Sequence, residues 1–388
     1  MRDSPSTVAE AVERARRVAV DVAAPLADKI DGEGLWPEEA LRALQAEGLG
    51  GLTAPVAAGG SGLALRALAG VCETLGTACA STAITYGMHA VGTAVIAAKA
   101  TPQQTAQLLE PIARGDHLTT LALSEPGTGS QFWIPETQVR RTGEGYTVTG
   151  TKSFVTNGSL ADSYVVSTTA AEPDVPDGQF SCVVVPASAP GLMWTDSWHG
   201  LGMRGNSSRG MRLEDVELPA ENLLGSEGDQ IWYVFEVVAP YFLIAMAGTY
   251  LGIARAALDD ARQHVLARRH SHTGRALAAQ PIVQHRLGEM WARVERTRRL
   301  VHWAAEEAER GGPDALPALA SAKAEVADCA VGVANDAMTL MGGIAYRDRA
   351  PVERHLRDAR AAHVMSPQTD TLRTWTGRAL LGIPLLGE

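Results

Sequence analysis

The spacing of apolar residues along this chain changes character twice. From residue 1 to about 118, apolar positions recur every three to four residues, as Val8, Val12 and Ala15 do, which is typical of one face of a helix. Thr101 is followed by proline, and this pair predicts a helix start because threonine caps helices and proline suits their first position. This first region is therefore predicted to be helical.

Short runs of β-branched and aromatic residues dominate from about 119 to 228. Gly, Pro, Asn and Asp separate them, as is typical of strands joined by turns; the runs are 146–149, 164–166, 182–185 and 211–218. Long helical patterns return at 230–268, 281–310, 316–341 and 350–365. The pattern predicts three domains, 1–118, 119–228 and 229–388, in the order helical, β and helical.

Residues 237–254 are 18 consecutive residues without a charge. This length is at the lower limit for a membrane-spanning helix. The stretch includes Pro240 and is followed by a single arginine instead of a basic cluster. We expect a helix buried inside a bundle and no membrane association.

Composition narrows the class of protein further. The chain has 388 residues, more than one hydrophobic core usually supports, and its formal net charge of −10 argues against nucleic acid as a partner. Four cysteines are spaced neither as a disulfide framework nor as zinc ligands. The first residues lack the basic-then-apolar pattern of a signal peptide. We expect a cytoplasmic protein.

Two short patterns suggest other chemistry at first sight. Residues 200–205 satisfy G-x-G-x-x-G, but a β-run follows them in place of the helix that a dinucleotide site requires. We expect a loop there and no nicotinamide site. His270 and His272 resemble a metal pair, yet no carboxylate or cysteine cluster supports them, so we expect surface histidines and no metal.

Several motifs occur along the chain in the order known from one enzyme superfamily. They are LSEPGTGS at 123–130, GTK at 150–152, FVTNG at 154–158, LEDV at 213–216, PAENLLG at 219–225, MGG at 341–343 and RDA at 357–359. Together they resemble the acyl-CoA dehydrogenase superfamily over nearly the whole chain. The resemblance implies a mostly helical α+β fold: an N-terminal helical domain, a middle β-barrel or sandwich and a C-terminal four-helix bundle. It also implies bound FAD and a homodimer or homotetramer.

The resemblance also implies which residues hold the flavin. Hydroxyls and loop amides would bind the polar edge of the isoalloxazine, and an aromatic side chain would cover its face. Serine and threonine in turns more often bond to their own backbone, so these roles depend on the resemblance. It assigns Ser124 and Thr156 to the ring, Phe154 to its face, and Gly129 and Ser130 to the flavin-binding loop. It assigns the ADP half, across a subunit interface, to Arg269 or Arg275 with Gly342 and Gly343.

The proton-abstracting residue is missing from the position where the resemblance places it. Acyl-CoA dehydrogenation needs a carboxylate there. Alignment on residues 357–359 puts Ser366 at this position, and the alternative family position falls at Phe242. Asp370, four residues beyond Ser366, remains a candidate base if the loop is rearranged.

The features that would recognise CoA are replaced as well. The family's CoA-site arginine falls at Leu243, and the aspartate of its flavin loop falls at Gln131, which precedes the bulky Phe132 and Trp133. With Phe242, these residues would line a more apolar substrate pocket. Such a pocket suits a neutral molecule better than a charged one.

These substitutions favour a flavin-dependent monooxygenase built on the dehydrogenase fold. Such relatives take reduced FAD from a separate flavin reductase, use O2 and hydroxylate a neutral apolar or aromatic small molecule. In general character the chain is similar to the indole-hydroxylating flavoproteins of natural-product (xiamycin-type) biosynthesis. Oxygen chemistry needs a dry pocket and no base beside the flavin, and Ser124, Thr156 and Ser366 would orient the reactants. Two alternatives remain: a dehydrogenase of acyl-CoA or carrier-bound acyl groups that uses Asp370 as its base, and a non-catalytic flavoprotein subunit.

Overall fold

The N-terminal region is built from helices, as predicted. The computed structural model describes residues 2–171, 179–195 and 197–386. The Thr101 hydroxyl accepts a hydrogen bond from the Gln104 N–H (3.1 Å), and the Gln104 side chain accepts one from the Thr101 N–H (2.9 Å), which confirms the predicted helix start. The helices are α1 (Val8–Val18), α2 (Ala24–Glu33), α3 (Glu38–Ala46), α4 (Leu65–Ala78), α5 (Ala80–Ala98), α6 (Pro102–Gln104) and α7 (Glu110–Ala113), with π-helical turns at Ala19–Ala23 and Thr105–Leu109.

One sheet follows, with strands β1 (Thr119–Ala122), β2 (Gln138–Arg141), β3 (Gly145–Val155), β4 (Ser163–Ala170), β5 (Gln179–Pro186), β6 (Leu192–Trp194) and β7 (Arg209–Pro219). The order is β1-β4-β2-β3-β7-β6, and β5 also pairs with β4. β4 runs parallel to β1 and β2, and the other pairs are antiparallel. The four predicted runs lie in β3, β4, β5 and β7, which confirms them. β1, β2 and β6 were not predicted because runs of three or four residues show no readable alternation.

Helices return after the sheet and include all four of the predicted long segments. An additional helix, Thr369–Leu381, was not predicted, because its threonines and Gly377 are poor helix formers. Leu372 and Trp375 are buried against the bundle, and this packing stabilises the helix. The helices are α8 (Gln230–Trp232), continued by a π-helical turn (Tyr233–Val238), α9 (Ala239–Ala267), α10 (Pro281–Glu309), α11 (Ala315–Met341), α12 (Pro351–Val364) and α13 (Thr369–Leu381).

The apolar helix α9 lies inside the protein. Among the described helices, the segment Gln230–Ala267 is the one long and apolar enough to cross a membrane, and 83% of its most apolar window is buried. α9 packs closely on α4 through glycines: a Cβ on Gly252 would lie 2.3 Å from the Glu73 carbonyl oxygen, and one on Gly76 would lie 2.5 Å from that of Thr249. Only residues without a Cβ permit this approach. α9 is therefore a buried bundle helix, as its sequence predicts.

Candidate flavin and substrate site

A cavity of about 710 Å³ lies where the three regions meet. Its wall comes from the loop after β1, the end of β3, the loop between β6 and β7, the start of α9 and the loop between α12 and α13. This volume is within the range of small-molecule pockets. Most of the wall is apolar, and its polar groups are mainly hydroxyls: Ser124, Ser130, Ser153, Thr156, Ser208 and Ser366.

A β-bulge at the end of β3 presents Phe154 to the cavity. The pairing of β3 with β7 shifts between Lys152 and Val155, and Phe154 has a φ of 54° within this irregularity. An aromatic residue rarely adopts the left-handed region, so the surrounding structure must hold it there. The ring is 69% exposed and stands edge-on to Trp198, with ring centroids 6.3 Å apart. An exposed aromatic wall of this kind suits a flat ring system.

The loop after β1 is anchored to the sheet by a buried ion pair. The Glu125 carboxylate contacts the Lys152 ammonium, and their side chains are 1% and 0% exposed. Glu125 also accepts hydrogen bonds from the Thr137 hydroxyl (2.8 Å) and from the backbone N–H groups of Glu136 and Thr137. Burial lowers the pKa of Lys152, and the adjacent Glu125 carboxylate opposes this effect. Both carboxylate oxygens are therefore engaged.

The loop between α12 and α13 forms the opposite wall. Its Ser366 hydroxyl donates a hydrogen bond to the Ser130 carbonyl (3.1 Å), so the two cavity loops are joined directly. Beneath this loop, the buried Lys323 side chain of α11 donates to three backbone carbonyls. Ser366 therefore lies at the cavity, where the family resemblance places the proton-abstracting acid.

The residues around the cavity fit a flavin. Gly129 has a φ of 55° and open space around its Cβ position, so other groups can approach the loop backbone closely. The Thr128 hydroxyl is buried and has no hydrogen-bond partner among the described residues. The Thr156 hydroxyl lies 3.2 Å from that of Ser208. The five residues assigned to the ring and to the flavin-binding loop all line the cavity: Ser124, Gly129, Ser130, Phe154 and Thr156.

The residues predicted to hold the ADP half lie elsewhere. Arg269, Arg275, Gly342 and Gly343 are exposed on the surface and do not line the cavity. The Arg269 guanidinium donates to the Gly274 carbonyl of its own loop (3.3 Å). Their role across a subunit interface stays a prediction.

The two patterns set aside in the sequence have ordinary structures. Residues 200–205 form a loop between β6 and β7, and the strand β7 follows them instead of a helix. The rings of His270 and His272 have centroids 5.5 Å apart. Within the described ranges, no group of three His, Cys, Asp or Glu side chains could hold a metal ion.

Asp370 does not reach the cavity. Its side chain, in the first turn of α13, is 99% exposed and lines a separate surface groove of about 690 Å³. The hypothesis that Asp370 acts as the base is therefore wrong for this geometry. Among the described residues that line the cavity, Glu125 has the one carboxylate, and no lysine, arginine or histidine is present.

The predicted substrate-pocket residues are divided between three places. Phe132 and Phe242 line the cavity, whereas Gln131 and Trp133 line the surface groove. Leu243 follows Phe242 on α9 but points about 100° away from it, because successive residues of a helix are rotated by that angle. It therefore packs inside the bundle and is 1% exposed. The expectations for Gln131, Trp133 and Leu243 are therefore corrected. Phe132 and Trp133 pack edge to face, with ring centroids 5.4 Å apart, and separate the cavity from the groove.

The loop between β6 and β7 contributes wall residues that sequence reasoning missed. Trp198, Met203 and Asn206 all line the cavity. The RDA motif was the sequence feature that could have indicated this loop. Its buried Asp358 accepts a hydrogen bond from the Met203 N–H (2.6 Å) and so connects the loop to α12. Burial raises the pKa of Asp358.

Comparison with known proteins gives the same architecture. Models of the acyl-CoA dehydrogenase N-terminal, middle and C-terminal domains match residues 7–116, 120–216 and 240–381. Cyclohex-1-ene-1-carbonyl-CoA dehydrogenase of Geobacter metallireducens is 33% identical over 367 residues, covering 94% of this chain and 96% of that protein. An acyl-CoA dehydrogenase of Bacillus subtilis is 30% identical over 364 residues, covering 92% and 94%. The structure of butyryl-CoA dehydrogenase from Megasphaera elsdenii aligns with a TM-score of 0.90 at 27% identity, covering 98% of this chain and 100% of that one.

The fold and the cavity define a flavin-dependent oxidoreductase that uses FAD. The chain belongs to the acyl-CoA dehydrogenase family. Members of this family are typically oligomeric. The relatives described above are named as dehydrogenases.

Proposed function

We propose that the protein is a flavin-dependent monooxygenase that uses reduced FAD and O2 to hydroxylate a neutral apolar or aromatic, indole-like small molecule. One observation carries the proposal. The single carboxylate on the wall of the described cavity, that of Glu125, is held by Lys152 and by backbone N–H groups. Removal of an α-proton from an acyl thioester needs a free base at this place, and Ser366 has no useful basicity near neutral pH.

Oxygenation of a substrate suits this cavity wall better than removal of an α-proton does. Bound reduced flavin would supply two electrons to O2, so that one oxygen atom enters the substrate and the other leaves as water. The protein's part is to exclude water and to orient the reactants. Phe132, Phe242 and Met203 make the wall apolar, and the Ser124 and Ser366 hydroxyls offer hydrogen bonds to a polar substrate atom.

The charge of the wall limits the substrate class. The described residues that line the cavity include no cation to pair with an anionic group. Burying an unpaired charge costs several kcal/mol, roughly, so a neutral molecule is favoured. The reduced flavin would come from a separate flavin reductase, since the G-x-G-x-x-G loop lacks the helix of a nicotinamide site.

The test is a coupled oxygenation assay. The protein is incubated with FAD, NADH, a flavin reductase, ¹⁸O-labelled oxygen and a panel of indoles. We expect a hydroxylated indole that carries the label, and no product when this protein or the reductase is omitted. Product without the label, or none from any neutral aromatic compound, contradicts the proposal.

A dehydrogenase of acyl thioesters is the second candidate, and the names of the relatives favour it. It requires Glu125 to leave its ion pair, because no other carboxylate lines the described cavity. Anaerobic mixing of the FAD-loaded protein with acyl-CoAs separates the two functions. Rapid loss of the oxidised flavin absorbance would favour the dehydrogenase, and an unchanged spectrum favours the oxygenase.

A further inference from the structure

Lys323 lies in the first half of α11 and is fully buried, at 0% exposed. Its ammonium donates hydrogen bonds to the carbonyls of Ala362 (2.8 Å), Met365 (2.9 Å) and Pro367 (2.8 Å). The first carbonyl belongs to the last turn of α12, and the other two belong to the loop that leads to α13. One side chain therefore binds both the end of a helix and the loop that follows it.

Three carbonyl acceptors require three N–H donors at one point. A protonated lysine has three, whereas its neutral amine has two and would turn a lone pair toward an oxygen. No carboxylate forms an ion pair with Lys323 among the described residues. The carbonyl end of α12 has partial negative charge and favours the cation. Burial acts in the opposite direction and lowers the pKa of Lys323 to about 7.

The loop that Lys323 holds is part of the cavity wall. Residues 365–368 all line the cavity, and Ser366 bonds from this loop to the Ser130 carbonyl on the facing loop. Lys323 itself does not line the cavity. Its effect on the site must therefore act through the loop.

We propose that Lys323 is a positioning residue whose ammonium group holds residues 365–368 in place, so that Ser366 faces the flavin cavity and meets Ser130. This role goes beyond the proposed oxygenation and applies to whichever reaction the cavity performs. A lysine that only fills space in the core would not need all three donors.

Hydrogen–deuterium exchange of the FAD-loaded protein at pH 6, below the pKa of about 7 at which Lys323 loses its third N–H donor, tests the role without an activity assay. The variant Lys323→Met keeps an unbranched side chain one atom shorter than lysine and removes every donor. Each lost bond involves a charged group, so we expect exchange of the peptide that covers residues 362–368 to accelerate roughly ten-fold or more. Peptides from α9 and α10 should keep their rates. The matched control is Lys29→Met, which removes an exposed lysine of α2.

Two further variants separate positioning from simple packing. Lys323→Arg restores a cation with several donors, and slow loop exchange should return. Lys323→Gln has two N–H donors, should give an intermediate rate, and replaces the methionine variant if that protein does not fold. The visible spectrum of bound FAD should change in the methionine variant and recover in the arginine variant, because the loop borders the cavity. Unchanged loop exchange in the methionine variant, acceleration spread evenly over the bundle, or an arginine variant as fast as the methionine variant would each overturn the proposal.

Discussion

Two buried lysines support two of the loops that line the cavity, and they differ in their partners. Lys152 contacts the Glu125 carboxylate and the Ser167 carbonyl (2.7 Å), so its charge is paired. Lys323 contacts carbonyls alone. Both side chains are 0% exposed. The loop after β1 is thus held by an ion pair, and the loop between α12 and α13 by a lysine that contacts three carbonyls and, among the described residues, no carboxylate.

The partners of the two lysines determine which charged groups remain available in the cavity. Pairing with Lys152 occupies Glu125, the carboxylate at the described cavity wall, and thereby removes it as a base. The second loop needs no acid for its support, because backbone carbonyls satisfy Lys323. The result is a cavity whose polar groups are mainly hydroxyls, with the buried Lys323 beneath Ser366. This wall is the basis on which we propose oxygen chemistry on a neutral molecule.

The largest effect is expected from breaking the ion pair. Lys152→Met leaves Glu125 buried with an uncompensated charge, which should lower the free energy of unfolding by about 3–5 kcal/mol. Urea unfolding measures this loss, with Lys29→Met as the surface control. Adding Glu125→Gln to the methionine variant should recover part of the loss, because the buried charge is then absent. A loss below about 1 kcal/mol would mean that the pair is open to water.

The contribution of Lys323 to the free energy of unfolding should depend on pH. Burial lowers the pKa of Lys323 from 10.5 to about 7 in the folded protein. Between these values the unfolded chain binds a proton that the folded protein lacks. The stability of the wild type relative to Lys323→Met should therefore rise with pH above about 7, by up to about 1.4 kcal/mol per pH unit, and stay level below it.

Urea unfolding of both proteins from pH 6 to pH 9 measures this difference in free energy. Other titrating groups change both proteins equally and cancel in the subtraction. A difference that does not vary with pH would show that Lys323 has the same protonation in the folded and unfolded states.

A smaller effect is expected where the two loops meet. Ser366→Ala removes the hydrogen bond to the Ser130 carbonyl, a net contribution of about 0.5–1.5 kcal/mol. If this bond orients the cavity wall, formation of hydroxylated product should fall by up to about ten-fold while FAD remains bound. Ser188→Ala, at an exposed turn, is the matched control. Equal activity of both variants would show that Ser366 is passive in the reaction.

The sequence predicted the long elements and one side of the cavity well. Helical spacing and the Thr101 cap predicted most helices, and the motif at 123–130 contributes Ser124 and Ser130 to the cavity wall. α13 was missed because its stability comes from the burial of Leu372 and Trp375 and not from local preference.

Side-chain direction was the main source of error. Trp133 points away from the cavity because it packs between Phe235 and Trp375, at centroid distances of 6.2 and 5.5 Å, and no sequence pattern encodes those contacts. Lys323 gave no signal at all, since a lysine in a helical pattern normally indicates a solvated face. Only the folded bundle brings three carbonyls to its ammonium.

The smallest effect is expected at Asp370, and it tests whether the loop between α12 and α13 is held as described. The side chain is 99% exposed and lies 4.0 Å from the Arg373 guanidinium, in the first turn of α13. Asp370→Asn should therefore leave stability, product formation and the flavin spectrum almost unchanged, because solvent screens an exposed charge at the start of the helix. Product assays and urea unfolding measure the activity and the stability of this variant.

A roughly ten-fold drop in activity would mean that the loop between α12 and α13 rearranges and carries this carboxylate to the cavity. That rearrangement requires Lys323 to release the three carbonyls. Combining Asp370→Asn with Lys323→Met distinguishes the cases, because a loop that is already released should make the cavity sensitive to Asp370, whereas a loop held by other contacts should not.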